Sequence, residues 1–130
     1  MNKKKTSVLL AAALLFAAAY IIVGLRISDQ AKEIVRTAMM PPSMIQANMT
    51  KEVYNELYPP MRRMTGYEDS YEQDRHQYGI KGFPLHLFFV AKVTVENRYD
   101  GDRLGFLEEV ELGVKWRKGQ WVATDVTTLP

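Results

Sequence analysis

Hydrophobic and polar positions change their spacing several times along this chain, and each change marks an element. Val8–Leu25 (VLLAAALLFAAAYIIVGL) carries no charge over its whole length. At 1.5 Å per residue, such a helix spans roughly 27 Å, close to the ~30 Å of a hydrocarbon core. The run is apolar all round, which disfavours a buried helix of a soluble domain. From Arg26 to Met40 the pattern becomes one-sided. Ile27, Ala31, Ile34, Val35 and Ala38 share one helical face, and Asp29, Lys32, Glu33 and Arg36 lie opposite. This amphipathic segment can continue the apolar helix without a break. Met39-Met40-Pro41-Pro42 stops it, because proline lacks a donor and disfavours helix at the residue before it.

A second helix is expected over Met44–Tyr58. Ser43 and Gln46 form a capping box, and Ile45, Met49, Val53 and Leu57 recur every four residues with Tyr54 beside them. Pro59-Pro60 ends it. Residues 61–82 show poor periodicity. A short helix around Asp69–His76 fits part of the stretch, and a connection of this length is expected to pack or to form a short strand.

From Phe83 the period becomes two. Leu85, Leu87, Phe89, Ala91, Val93 and Val95 read as one face of a long strand, and His86, Lys92, Thr94, Glu96 and Arg98 as the other. Asp100-Gly101-Asp102 is a hairpin turn. Leu104, Phe106, Val110, Leu112, Val114 and Trp116 mark the returning strand, with a bulge expected where Glu108 interrupts the alternation. Lys118-Gly119 is a second tight turn, and Gln120–Thr127 the last strand, with Trp116 facing Trp121 across the ladder.

The fold class is therefore α+β: an N-terminal transmembrane helix, then two helices packed on a curved antiparallel sheet of three or more strands. The divisions are a basic tail at 1–7, an anchor at 8–25 and one domain at 26–130. The Ser43-capped helix, the strand from Leu85 to Tyr99 and the closing hairpin GVKWRKGQWVATDV (Gly113–Val126) resemble the NTF2-like (cystatin-like α+β cone) superfamily, in particular its membrane-anchored VirB8-like type. That resemblance implies a scaffold role in secretion or conjugation machinery rather than chemistry.

Charge sharpens the anchor. Lys3, Lys4 and Lys5 precede the apolar run with no acid among them, so the positive-inside rule puts the N-terminus in the cytoplasm and the domain outside it. Tyr20 lies near the outer end of the run, where an amphipathic ring suits the interface. The competing reading is a cleaved signal peptide, for which Ala17-Ala18-Ala19 supplies small residues. Against it, Tyr20-Ile21-Ile22-Val23 carries the apolar run onward, longer than an ordinary signal core. The formal charge of the whole chain is +2. With the three lysines set aside the remainder is near neutral, which argues against nucleic-acid binding. The chain has no cysteine, which excludes disulfides, Cys-ligated zinc and thiol catalysis.

Candidate chemistry is sparse. The two histidines, His76 and His86, read as a loop and a strand histidine. No metal spacing, P-loop, dinucleotide loop or nucleophile elbow is present, so no catalytic, cofactor-binding or metal-ligating residue is assigned. Arg62, Arg63, Tyr67, Tyr71 and Tyr78 form a candidate partner surface, because Tyr and Arg are enriched at binding hot spots. The plainer alternative is aromatic packing over the core edge. His86, Phe88, Phe106, Trp116, Trp121 and Asp125 are the candidate lining of a cone cavity, with Asp125 facing inward in step with Trp121 and Ala123.

Three functions follow as expectations. The first is a single-pass anchored extracytoplasmic domain that binds other bacterial envelope proteins or further copies of itself, in a secretion, conjugation or sporulation type of assembly, without enzymatic activity. The second is a small-ligand-binding or enzymatic cone domain. The third is a pilin-like subunit, against which the apolar run lacks an acidic residue near its start.

Overall fold

A computed structural model describes residues 2–40, 48–62, 67, 71–102 and 105–129. Helix α1 runs unbroken from Lys3 to Ala38, and the side chain of its N-cap residue, Asn2, accepts from the Lys4 amide at 3.1 Å. The apolar run and the amphipathic segment are thus one helix. Its two halves differ in what they touch. Val8, Leu9, Leu10, Leu14, Leu15 and Phe16 are exposed, whereas Ile27, Ala31, Ile34, Val35 and Ala38 are buried. Those five are the face that the periodicity picks out. Each Ile or Val among them contributes roughly 1.5–3 kcal/mol by leaving water.

The buried half of α1 packs on a four-stranded antiparallel meander of order β1-β2-β3-β4, with β1 His76–His86, β2 Val90–Asp100, β3 Gly105–Arg117 and β4 Gln120–Leu129. Ala91, Val93 and Val95 of β2, Val110, Leu112 and Val114 of β3, and Trp121 and Ala123 of β4 face the helices. Helix α2 (Lys51–Leu57) closes the other side of the core with Val53, Tyr54 and Leu57.

Four local expectations are corrected. Helix α2 begins at Lys51 rather than Met44. Thr50 is its N-cap, and the Thr50 hydroxyl accepts from the Val53 amide. Met49 instead makes a parallel bridge with Ala123, so β4 draws this stretch out of helix. Ser43 and Gln46 lie outside the described residues. The long strand from Leu85 to Tyr99 is two strands, because the chain reverses at Leu87–Phe89. No bulge occurs at Glu108: β2 and β3 pair without a shift from Val90↔Lys115 to Asp100↔Gly105. The shift lies between β3 and β4 at Gly113/Val114, where Thr124 is the extra residue. It reverses the alternation of β4, so Asp125 is exposed on the outer face.

The uncertain stretch before residue 82 contributes more strand than expected. A 3-10 turn at Gln73–Arg75 leads into β1. Two residues of β1 are inserted between the pairs Lys81↔Thr94 and Leu85↔Lys92. Gly82, at φ 74°, supplies the left-handed bend there. The hairpin turns fall as read: Asp100 pairs with Gly105, and Lys118-Gly119 joins the pair Arg117↔Gln120 with both φ values positive, the twist that a two-residue hairpin needs.

Candidate functional site: a hairpin clasp and a buried polar chain

Two places in the molecule concentrate polar and aromatic groups, at opposite ends of the sheet. The first is where the β1–β2 hairpin grips α1. The inserted residues of β1 bring Phe83 over Gly24, where a Cβ would clash with the ring. The glycine is what lets helix and hairpin approach. His86 then stacks on Tyr20, with ring centroids 3.8 Å apart and planes 18° apart. The Phe88 ring meets Phe16 edge-on at 5.6 Å and Tyr20 at 5.9 Å. Phe88 itself stands at φ 64°, a left-handed position uncommon for a bulky side chain. Its ring contacts hold it there.

Both nitrogens of His86 are used. The Phe88 amide donates to Nδ1 at 3.1 Å, so Nδ1 carries no proton, and Nε2–H donates to the Tyr20 carbonyl at 2.8 Å. The Tyr20 hydroxyl accepts from the His86 amide at 3.3 Å. His86 is therefore a strut between hairpin and helix. Beside it, a hollow of about 520 Å³ is lined mainly by apolar atoms of Leu85, Leu87, Val90 and Val114, with Lys92 and Lys115 at its rim.

The second place is a chain of buried polar groups at the far end of the sheet. The Tyr71 hydroxyl donates to His76 Nδ1 at 2.8 Å. His76 Nε2–H donates to Asn97 Oδ1, and Asn97 Nδ2 donates to Glu108 Oε1 at 3.1 Å. Asn97 is fully buried. Burial pushes the His76 pKa below the ordinary histidine value, only partly offset by the Asn97 hydrogen bond and the nearby Glu108 charge. Tyr67 and Tyr78 are raised by burial and by the adjoining Tyr71. The group ties to α1 through Tyr67, whose hydroxyl donates to the Met39 carbonyl at 2.7 Å. Tyr54 does the same to Met40 at 2.6 Å. These residues close the polar end of α1, where the last carbonyls lack helical partners.

The residues singled out from the sequence distribute across both places. Tyr67 is buried, and Tyr71 and Tyr78 are half-buried, stacked among His76 and Tyr99. Arg63 lies outside the described residues. Arg62 ends the short 3-10 turn Pro59–Arg62. The six candidate lining residues do not surround one cavity. His86 and Phe88 belong to the clasp, whereas Phe106 packs on His76 at 5.7 Å at the far end. Trp116 and Trp121 meet edge-on at 5.5 Å beside Arg26 and Gln30 of α1. Asp125 reaches the 520 Å³ hollow from the outer face. Among the described residues no cluster of His, Cys, Asp and Glu is suited to a metal ion.

Sequence reasoning passed over Asn97, Gly24 and the pairing of Tyr20 with His86. For Asn97 a signal existed, because it keeps the parity of Ala91, Val93 and Val95 and so points inward. For the clasp there was none, since its members are far apart in the chain. No protein-family model, no curated protein and no solved structure matches the chain.

Proposed function

We propose that this chain is a single-pass membrane protein whose domain stands outside the cytoplasm and acts by binding other proteins of a bacterial envelope assembly, in the manner of NTF2-like, VirB8-like subunits. One observation carries the reading: α1 exposes its apolar half and buries its amphipathic half against the sheet, with no linker between them. It is the one helix among the described residues long and apolar enough to cross a membrane. A domain joined in this way is held at a fixed height and angle, which suits a subunit and ill suits a tethered enzyme that must roam. His76 and His86, the two side chains best suited to proton transfer at neutral pH, each have both ring nitrogens engaged within the fold. That supports a binding role over a chemical one.

Crosslinking in native membranes, after an alkaline wash, tests this. The protein is expected to stay in the membrane with its N-terminal segment intact and to crosslink to itself or to other envelope proteins. Recovery of a soluble form that begins near Leu25, or repeated recovery of a lone monomer, would sink the proposal.

A further inference from the structure

The outer surface of the β1–β2 turn is apolar where a water-facing turn would be polar. Leu85, Leu87 and Phe89 are 73%, 77% and 67% exposed, and Val90 and Trp116 flank them. The turn contains no Gly, Pro, Asn, Asp or Ser between His86 and Val90, the residues that ordinarily build such a turn. Its backbone donors are nevertheless satisfied from within. The His86 amide donates to the Tyr20 hydroxyl, Leu87 to the Val90 carbonyl at 2.9 Å, Phe88 to His86 Nδ1, and Phe89 to the Leu87 carbonyl at 2.8 Å. The Phe89 carbonyl in turn accepts from the Trp116 amide at 2.8 Å. In water none of this is required. In hydrocarbon it is, because an unsatisfied N–H there costs several kcal/mol.

The position of the turn agrees with its chemistry. Its Phe88 ring touches Phe16, which lies nine residues before the end of the apolar run, or about 13 Å along the helix. If α1 spans a bilayer, a turn at that level is below the headgroups. Lys92 and Lys115 pair across the sheet with Leu85 and Val90, and Arg117 and Lys118 follow at the same end of the sheet. Long basic side chains of this kind lay their stems on apolar surface and extend their charges to the headgroup region.

Resting on the anchor reading above, we infer that the β1–β2 turn is a membrane wedge. Leu85, Leu87, Phe89 and Val90 lie in the leaflet from which α1 emerges, and acyl chains cover them. The domain is thereby fixed to the bilayer at two places, the helix and the turn, and cannot rotate about the helix axis.

The cysteine-free chain permits a direct test with the full-length protein in phosphatidylethanolamine–phosphatidylglycerol vesicles. Single substitutions Leu87→Cys, Phe89→Cys, Leu14→Cys and Thr127→Cys are labelled separately. Thr127 is an exposed position near the end of β4. Leu87→Cys and Phe89→Cys are expected to lose reactivity toward a water-soluble maleimide, as Leu14→Cys does. A fluorophore attached at either turn position is expected to be quenched by lipids that bear a nitroxide on the acyl chain. Thr127→Cys stays reactive. Reaction of both turn positions at the Thr127→Cys rate, with Leu14→Cys protected, overturns the wedge and leaves the anchor standing. Reaction of Leu14→Cys as well overturns both. Protection without lipid quenching, accompanied by disulfide-linked dimers, overturns the lipid in favour of a second copy of the chain.

Discussion

At the scale of single residues, His76 shows how burial converts an ordinary side chain into a pH-dependent support. It sits between Tyr71 and Asn97 as a neutral ring, donating from Nε2 and accepting at Nδ1. Protonation would replace the acceptor with a second donor facing a hydroxyl, inside a cluster that also includes Tyr78, Tyr99 and Phe106. Because the folded pKa is lowered, the unfolded chain binds the proton more readily than the folded one. The contribution of His76 is therefore fully present above the unfolded value of about 6.5 and is lost as pH falls below it. Thermal melts between pH 7.5 and 5 are expected to show falling stability, and His76→Gln is expected to flatten that slope while lowering stability at neutral pH. A slope unchanged in the variant would show that His76 does not govern it. Asn97 explains why the chain is conditional. It bridges His76 and Glu108, and buried polar groups are costly once a partner is removed.

At the scale of elements, the turns reveal how unevenly sequence signals are written. The β3–β4 turn is explicit. Lys118 and Gly119 take φ 51° and 82°, and glycine is the residue that adopts such angles freely. Gly119→Ala is expected to cost about 1 kcal/mol, read as a lower unfolding midpoint in denaturant. Lys118→Asn is expected to be neutral or slightly stabilising, because asparagine tolerates the left-handed region. The β1–β2 turn is silent. Four residues, 87–90, separate the paired residues His86 and Ala91, and the apolar odd-numbered alternation runs through them unbroken in the sequence. Leu85 and Ala91 therefore look like one face of one strand, although Leu85 is exposed and Ala91 is buried. His86 pairs with Ala91 and so faces inward. Periodicity reports parity, and an even number of residues between paired positions puts residues of the same parity on opposite faces. Thr124 misleads in the opposite sense: one extra residue on β4 turned Asp125 outward.

At the scale of the whole molecule, the continuity of α1 couples the apolar segment to the sheet as a rigid rod. Phe16, Tyr20 and Gly24 recur every four residues on the side that meets the hairpin, and Ile27, Ala31, Ile34 and Ala38 continue toward the sheet. Insertion of a single alanine between Leu25 and Arg26 would turn the first set about 100° relative to the second. The clasp would then lose Phe16–Phe88 and Tyr20–His86 together, with the domain core intact. The expected outcome in detergent is a protein whose sheet melts near the wild-type temperature while the hairpin amides at His86–Phe89 exchange faster. Unchanged exchange would show that the hairpin holds its shape without the helix.

The sequence by itself determined the large features of this protein. The apolar run, the one-sided helix that follows it, the Trp116–Trp121 pair and the two polar turns are all set by local spacing and turn chemistry. Local spacing governs which face of an element leaves water and where the chain can bend. Only the tertiary structure decided the rest: that α2 starts at Lys51, that β1 and β2 are separate strands, and that Tyr20, Gly24, Phe83, His86 and Phe88 form one clasp. Each depends on a partner distant in sequence. Ala123 holds Met49 out of helix, and Phe16 and Tyr20 hold Phe88 in a left-handed turn. A pattern of neighbours cannot encode a contact made across sixty or more residues. That contact exists only once the sheet has brought both ends to the same place.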